Sequence, residues 1–332
     1  MRKFTSVLLA LVLCAALLCI GAAAADSEDA SQFAGGDGTP ENPYQIENAD
    51  QLKAVEDNLS ANYILTADIN LGGETNPWNP IGTFTGTFDG AGHTISGLYI
   101  AGDSSADGND RGLSLFSCLG SGGTITNLTV DGKIDPEDCH GSFGGIVGEN
   151  DGTISNCISD VDIKNTTGYA KGTIGGVVGS ANSGSTVENC RYTGTINVTH
   201  SGSSMGMGGV VGQASGCTIR NCENAGTVQT NIWRGGIVGR NNGSAQVLNC
   251  RNSGIVTSNN PAAGAGSGGV VGDNYGTIEN SYNTGTVTGG DCTGGVTAHN
   301  AADSSGATCI VENCYNAGTV SGSGSVGGVV GH

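Results

Sequence analysis

The chain has 332 residues, of which 60 are glycine, 6 proline, 13% charged and 5% aromatic, with a formal charge of −18. Glycine shows no three-residue period, which excludes collagen. The many Val, Ile and Thr residues exclude glycine-rich disorder, and the Ala/Glu/Lys/Leu bias of helical bundles is missing. An all-β chain with many tight turns remains.

At the N-terminus, Arg2 and Lys3 precede an apolar run at 7–20 and small residues at Ala23 and Ala25. This pattern predicts a secretory signal peptide over 1–25, cut before Asp26. The run is short for a membrane span of about 20 residues. Cys14 and Cys19 each follow Leu, which does not suit a lipidated leader. Cleavage removes two basic residues and no acid, leaving 10 basic against 30 acidic residues, a net of −20. Such a surface repels phosphate backbones and anionic lipid heads, so nucleic acid is not expected as a partner. No later stretch is long and apolar enough to span a bilayer, and the mature chain is expected outside the cell or at its surface.

Residues 26–62 read as an N-terminal capping segment. Asn48 and Gln51 form a helix-start signature, and Leu52, Val55 and Leu59 share one helical face. A short helix there covers the open end of whatever follows. Strands are expected at 63–71 and 81–100, with turns at Asp89-Gly90 and Ala91-Gly92, enough for about two coils.

From there the chain repeats. Gly-Gly-(Ile/Val)-Val-Gly occurs at 144–148, 175–179, 208–212, 235–239, 268–272 and 327–331, with a degraded copy at 294–298 that predicts an irregular coil. Between these lies a second frame. It opens with Ile125, Ile154, Val187, Ile219, Val247, Ile278 and Val311. Two residues on stand Asn127, Asn156, Asn189, Asn221, Asn249, Asn280 and Asn313. The next slot holds Leu128, Cys157, Cys190, Cys222, Cys250, Ser281 and Cys314. Six further on is Ile134, Ile163, Ile196, Val228, Val256, Val287 or Val320. Each unit of 26–33 residues offers three short strands separated by turns. One unit cannot bury its own apolar residues, so units must stack. The architecture is a parallel β-helix of about nine coils over 63–332, right-handed by the preference of parallel crossovers. A propeller blade would need about 40 residues. The Asn positions tolerate left-handed backbone and can form stacked amide ladders. The chain stops at His332 in mid-repeat, which predicts further sequence beyond it.

Ten cysteines follow the leader. Cys157, Cys190, Cys222 and Cys250 share one slot on four consecutive coils about 4.8 Å apart, and Cys314 holds it later. Stacked thiols are the expected state, with one or more bridges as the alternative. Cys217 and Cys309 share another slot three coils apart. Zinc is not expected, since no C-x2-C pair exists. Two G-x-G-x-x-G strings at 264–269 and 322–327 fall in repeat joints without a following helix, so no dinucleotide cofactor is expected. No P-loop, H-E-x-x-H or G-x-S-x-G occurs. Asp103, Asp107, Asn109 and Asp110 lie in one loop whose spacing fits no EF-hand, and a surface loop is expected rather than a Ca2+ site. Asp160 and Asp162 are the nearest acidic pair within a repeat, with no counterpart expected in a neighbouring coil.

The repeats resemble the GLUG motif, carried here at 145–148, 176–179, 209–212, 236–239, 269–272 and 328–331, with 295–298 losing its last glycine. The segments 42–46, 65–69, 86–90 and 92–95, with Gly97-Leu98, resemble the N-terminal region of the same proteins. The resemblance implies an exported bacterial β-helix. Such repeats occur in adhesin-like surface proteins and in non-catalytic regions of IgA1-protease-type metallopeptidases, whose zinc motif is absent here. The expected function is therefore a non-catalytic secreted or surface stalk that displays a binding surface to a host or cell-surface glycan or protein, through loops such as 101–111 and 259–267. A polysaccharide-acting enzyme on the same scaffold is the alternative, and would need clustered carboxylates in one exterior groove.

Overall fold

The computed structural model describes residues 32–102, 112–136, 141–165, 172–199, 206–259, 266–302 and 309–332. The leader at 1–25, the Asp103–Asp110 loop and most of the 259–267 loop lie outside these residues.

Each repeat winds once around a common axis. In one coil the strands are Thr173–Gly175, Val178–Ala181, Thr186–Glu188, Arg191–Tyr192 and Thr195–Val198. Equivalent strands of successive coils pair in parallel and in register, as in Ile154↔Val187↔Ile219↔Val247. The result is a parallel β-solenoid of four stacked sheets with ten, seven, eight and fourteen strands. Inward residues alternate with outward ones, and Ile125, Ile154, Val187, Ile219, Val247 and Ile278 are fully buried.

Three differences from the expected layout stand out. The coil has five strands where three were expected, because a strand also precedes each Gly-Gly and the left-handed Asn cuts the following segment off as a separate strand. There are about seven full turns against about nine, since the seven-stranded sheet needs the Gly-Gly-x-Val-Gly string, first present at 144–148. The earlier strands extend the other three sheets only. The degraded 294–298 copy forms a regular coil, with Gly268↔Gly294 and Val271↔Thr297 in register. Gly266 makes room for Ala298, whose methyl would collide with a side chain there.

At the N-terminal end, helix α1 (Ala49–Lys53) continues as a 3-10 turn over Ala54–Asp57. Asn48 Oδ1 accepts from Gln51 N at 3.0 Å, while Glu47 N donates to Gln51 Oε1 at 2.7 Å, one residue earlier than in the simplest capping box. Leu52 and Val55 are fully buried and Leu59 packs beside them. Among the described residues no helix is long and apolar enough to cross a membrane.

Candidate functional site

The seven frame asparagines all take left-handed backbone, with φ between 52° and 55°. They turn the chain at the corner after the ten-stranded sheet. There the side-chain amides face outward and link coil to coil. Asn221 donates to Asn189 and Asn189 to Asn156, both at 3.1 Å. Asn156 donates to Asn127 at 3.3 Å, and Asn127 to Asp89 at 3.0 Å. Asn280 turns instead to Glu279 Oε1 at 3.1 Å, and Asn249 and Asn313 keep the corner geometry. This column sets shape and offers no concave site.

The cysteine slot points inward. Cys157, Cys190, Cys222 and Cys250 are buried and Cys314 is half-buried, and all five are free thiols. Each donates to the carbonyl two residues earlier, at 3.1–3.3 Å. Burial pushes the Cys222 thiol well above its ordinary value and that of Cys217 up to about 11. Cys222 and Cys217 are therefore poor nucleophiles that fill the interior. Among the described residues no cluster of three or more His, Cys, Asp or Glu could hold a metal ion.

A second asparagine column, not anticipated from the sequence, runs through the interior of the fourteen-stranded sheet. Asn224 donates to Asn252, Asn252 to Asn283 and Asn283 to Asn316, each at 2.7 Å. A third runs through the eight-stranded sheet, from Asn241 to Asn274 to Asn300, again at 2.7 Å. The second motif glycines Gly209, Gly236, Gly269 and Gly295 face Asn224, Asn252, Asn283 and Asn316, whereas in earlier coils Gly176 faces Tyr192 and Gly145 faces Ser159. A Cβ on Gly236 would overlap both the Asn252 amide and the Gly269 carbonyl. In these four coils the second motif glycine is thus the space the ladder occupies.

The acids do gather, contrary to expectation. The long strands Thr129–Pro136 and Ile158–Asn165 set Asp131 beside Asp160, with Asp162 next to it. Partial burial raises the Asp131 carboxyl, and the two neighbouring carboxylates add to this. The trio lies on an exposed face, with Asp160 accepting from Thr193 Oγ1 and Asp162 from Thr195 N, both at 2.9 Å.

The residue directly after each motif builds a different surface. Glu149, Ser180, Gln213, Arg240, Asp273 and His299 form one outward column on the eight-stranded sheet, one strand spacing apart. At its N-terminal end, Glu149, Thr83, Cys118 and Glu56 line a cleft of about 470 Å³. At the other end stands a tighter group. Asp273 is almost fully buried and takes His299 Nδ1 at 2.8 Å on one oxygen and Arg240 Nε at 3.4 Å on the other. The Arg240 guanidinium lies 5.2 Å from the Tyr275 ring centre. The His299 ring is 5.7 Å from Trp233, 6.1 Å from Tyr275 and stacked on His332 at 5.7 Å. Burial, with Asp273 nearby, raises the Tyr275 phenol, so it stays neutral and able to donate. The sequence signal for this group was the identity of the residue after each motif, which changes at each copy from Glu149 to His299 while the motif itself is altered only at 294–298.

Fold and surface together define a parallel β-solenoid with one programmable exterior column. Residues 203–229 match the family model described as "The GLUG motif". A protein of Evansella cellulosilytica, provisionally named a Gly-rich membrane protein, is 39% identical over 139 residues, covering 39% of this chain and 16% of that protein. Halomucin of Haloquadratum walsbyi is 34% identical over 181 residues, covering 48% of this chain and 2% of halomucin. The chain therefore spans a small part of the length of these curated relatives. A crystal structure from Bacteroides ovatus, provisionally described as an immunoglobulin A1 protease, shares the fold at TM-score 0.60 and 22% identity over 90% of this chain and 86% of that one. An IgA1 protease structure aligns at TM-score 0.55 and 18% identity, over 88% of this chain and 22% of that one.

Proposed function

We propose that this chain is a non-catalytic, exported β-helical module displayed at a cell surface, where its outward column engages a glycan or protein of the surroundings. The observation that carries the reading is that column. It varies from coil to coil on a scaffold whose other fixed positions are taken up by packing and corners. The names of the sequence relatives, a Gly-rich membrane protein and halomucin, agree with a place at the cell boundary. The leader pattern at 1–25 supplies the route, and the acidic composition suits an extracellular surface. Protease shaving of intact cells, with N-terminal sequencing of the recovered protein, tests this. Release of fragments whose mature terminus is Asp26 is expected. A protein held inside the cell with residues 1–25 intact would overturn it.

A polysaccharide-acting enzyme on the same scaffold is the second reading. Its motive is the bond between buried Asp273 and His299, with Tyr275 beside it. New reducing ends or unsaturated products from a polysaccharide, lost on Asp273→Asn, would establish it in place of the first.

A further inference from the structure

We infer that Trp233, Tyr275, His299, Arg240 and Asp273 form a subsite for a neutral pyranose unit of a glycan. The inference rests on the display reading above and gives its ligand a chemical class.

Three features point there. The first is an aromatic platform fixed before any ligand arrives. Trp233 pairs across to Gly206, and a Cβ on Gly266 would run into the indole ring. Gly266 thus leaves the space in which the ring lies, and the His299 and Tyr275 rings stand beside it. Rings held this way present flat faces to the C–H face of a sugar at little entropic cost. The second is a polar rim of planar groups, a guanidinium, an imidazole and a phenol, with the buried Asp273 carboxylate holding the guanidinium and the imidazole in place. Few convergent polar groups on an apolar surface is the composition of a small-molecule site, and such groups suit adjacent hydroxyls.

The third is charge. The charge of Arg240 is matched by the buried carboxylate of Asp273, which also takes His299 Nδ1, so the guanidinium is not offered unpaired to an anion. The field of a chain with net −20 after cleavage opposes anionic ligands further. A neutral sugar is the ligand class left.

The protein carries its own probe. Of the two tryptophans, Trp78 is buried and donates Nε1–H to Leu115 O at 3.1 Å, whereas Trp233 is half-buried at the surface. Titrating the mature chain with mannohexaose, cellohexaose and chitohexaose is expected to change tryptophan emission saturably with at least one of them, while polygalacturonate gives no change. Trp233→Ala is expected to abolish the signal. Tyr275→Ala, read by calorimetry, is expected to weaken binding about 10-fold or more, with Tyr275→Phe retaining part of it. Far-UV circular dichroism confirms that each variant is folded. Silence with all three neutral probes, binding of polygalacturonate alone, or binding that survives Tyr275→Ala in a folded protein overturns the subsite. Surface shaving reads display separately, so a failed subsite leaves that reading standing.

Discussion

The first turns of the solenoid and the last ones fill the same interior with opposite chemistry. Near the N-terminus the core is a stack of rings: Phe33 on Tyr44 at 4.6 Å, Phe84 on Phe116 at 5.4 Å and Phe88 on Phe116 at 5.3 Å. Beyond about residue 220 the equivalent columns turn polar. Along the eight-stranded sheet Phe84 and Leu119 are followed by Asn150, Ala181 and Ala214, and only then by the unbroken run Asn241, Asn274 and Asn300. Along the seven-stranded sheet Phe143, Ile174 and Met207 give way to Arg234, Ser267 and Thr293. Arg234 is fully enclosed and donates to Ser267 Oγ at 2.6 Å and to the carbonyls of Thr230 and Ile232 at 3.0 and 2.9 Å. Burial lowers its guanidinium to about 10. The difference follows from regularity. An amide ladder needs like coils at one spacing, so that every donor meets the next acceptor. The interior of the first turns does not provide this, because the register slips between Ile95 and Leu98 and the seven-stranded sheet has not begun, whereas the outer corner is regular from Asn127 on and carries its row there. Irregular space there is filled by large rings, which need no partner of their own kind.

Substitutions that move one chemistry into the other region separate these accounts. Phe84→Ala is expected to cost most, about 3–5 kcal/mol in urea unfolding, by leaving a cavity among rings. A cost below about 1 kcal/mol would mean the end collapses freely. Asn252→Ala strands the donor of Asn224 and the acceptor of Asn283, and is expected to cost about 2–3 kcal/mol. Asn252→Leu should do no better, since it leaves the same groups unpaired. A leucine variant as stable as the parent would show that burial, not the ladder, holds these coils. Cys250→Ser is expected to cost about 1 kcal/mol or less, because Ser281 already fills that slot in the next coil and accepts from Cys250 N at 3.0 Å. In the same protein Cys157, Cys190 and Cys222 should resist Ellman's reagent until urea is added; rapid native labelling would show that the core opens. The smallest effect is expected at Asp131. Its carboxyl is raised in the fold, so its ionisation opposes folding as pH rises through the carboxylate range. Asp131→Asn should raise Tm slightly at pH 7, and the gain should vanish at low pH where Asp131 is protonated. A destabilised variant at pH 7 would refute the repulsion.

The architecture was legible in the sequence because its strongest signals are local. Left-handed corners need Asn, and close backbone approach needs Gly, so both recur at fixed offsets. The interior ladder was hidden in plain view. Asn224, Asn252, Asn283 and Asn316 each stand two residues after the cysteine slot, on the same face of the strand, yet a buried amide is costly unless a partner is known, so side-chain chemistry argued against an inward reading. Only stacking in three dimensions gives the amide an inward partner. The aromatic and charged patch was illegible for another reason. Trp233, Arg240, Asp273, Tyr275 and His299 span three coils, and their spacing matches no linear motif.

The interior amides also have a direction. In Asn224, Asn252, Asn274, Asn283 and Asn316, Oδ1 accepts from the glycine N–H two residues on, as Gly254 N donates to Asn252 and Gly285 N to Asn283, which fixes the orientation of these amides. Every interior Nδ2 then points toward the next coil in sequence, from Asn224 to Asn316 and from Asn241 to Asn300. The outer row runs the other way, from Asn221 back to Asp89. The two sets of amide dipoles oppose one another along the axis. The opposition is between regions, the outer row linking the early coils and the inner columns the late ones, so the direction of the amide chains reverses part-way along the axis.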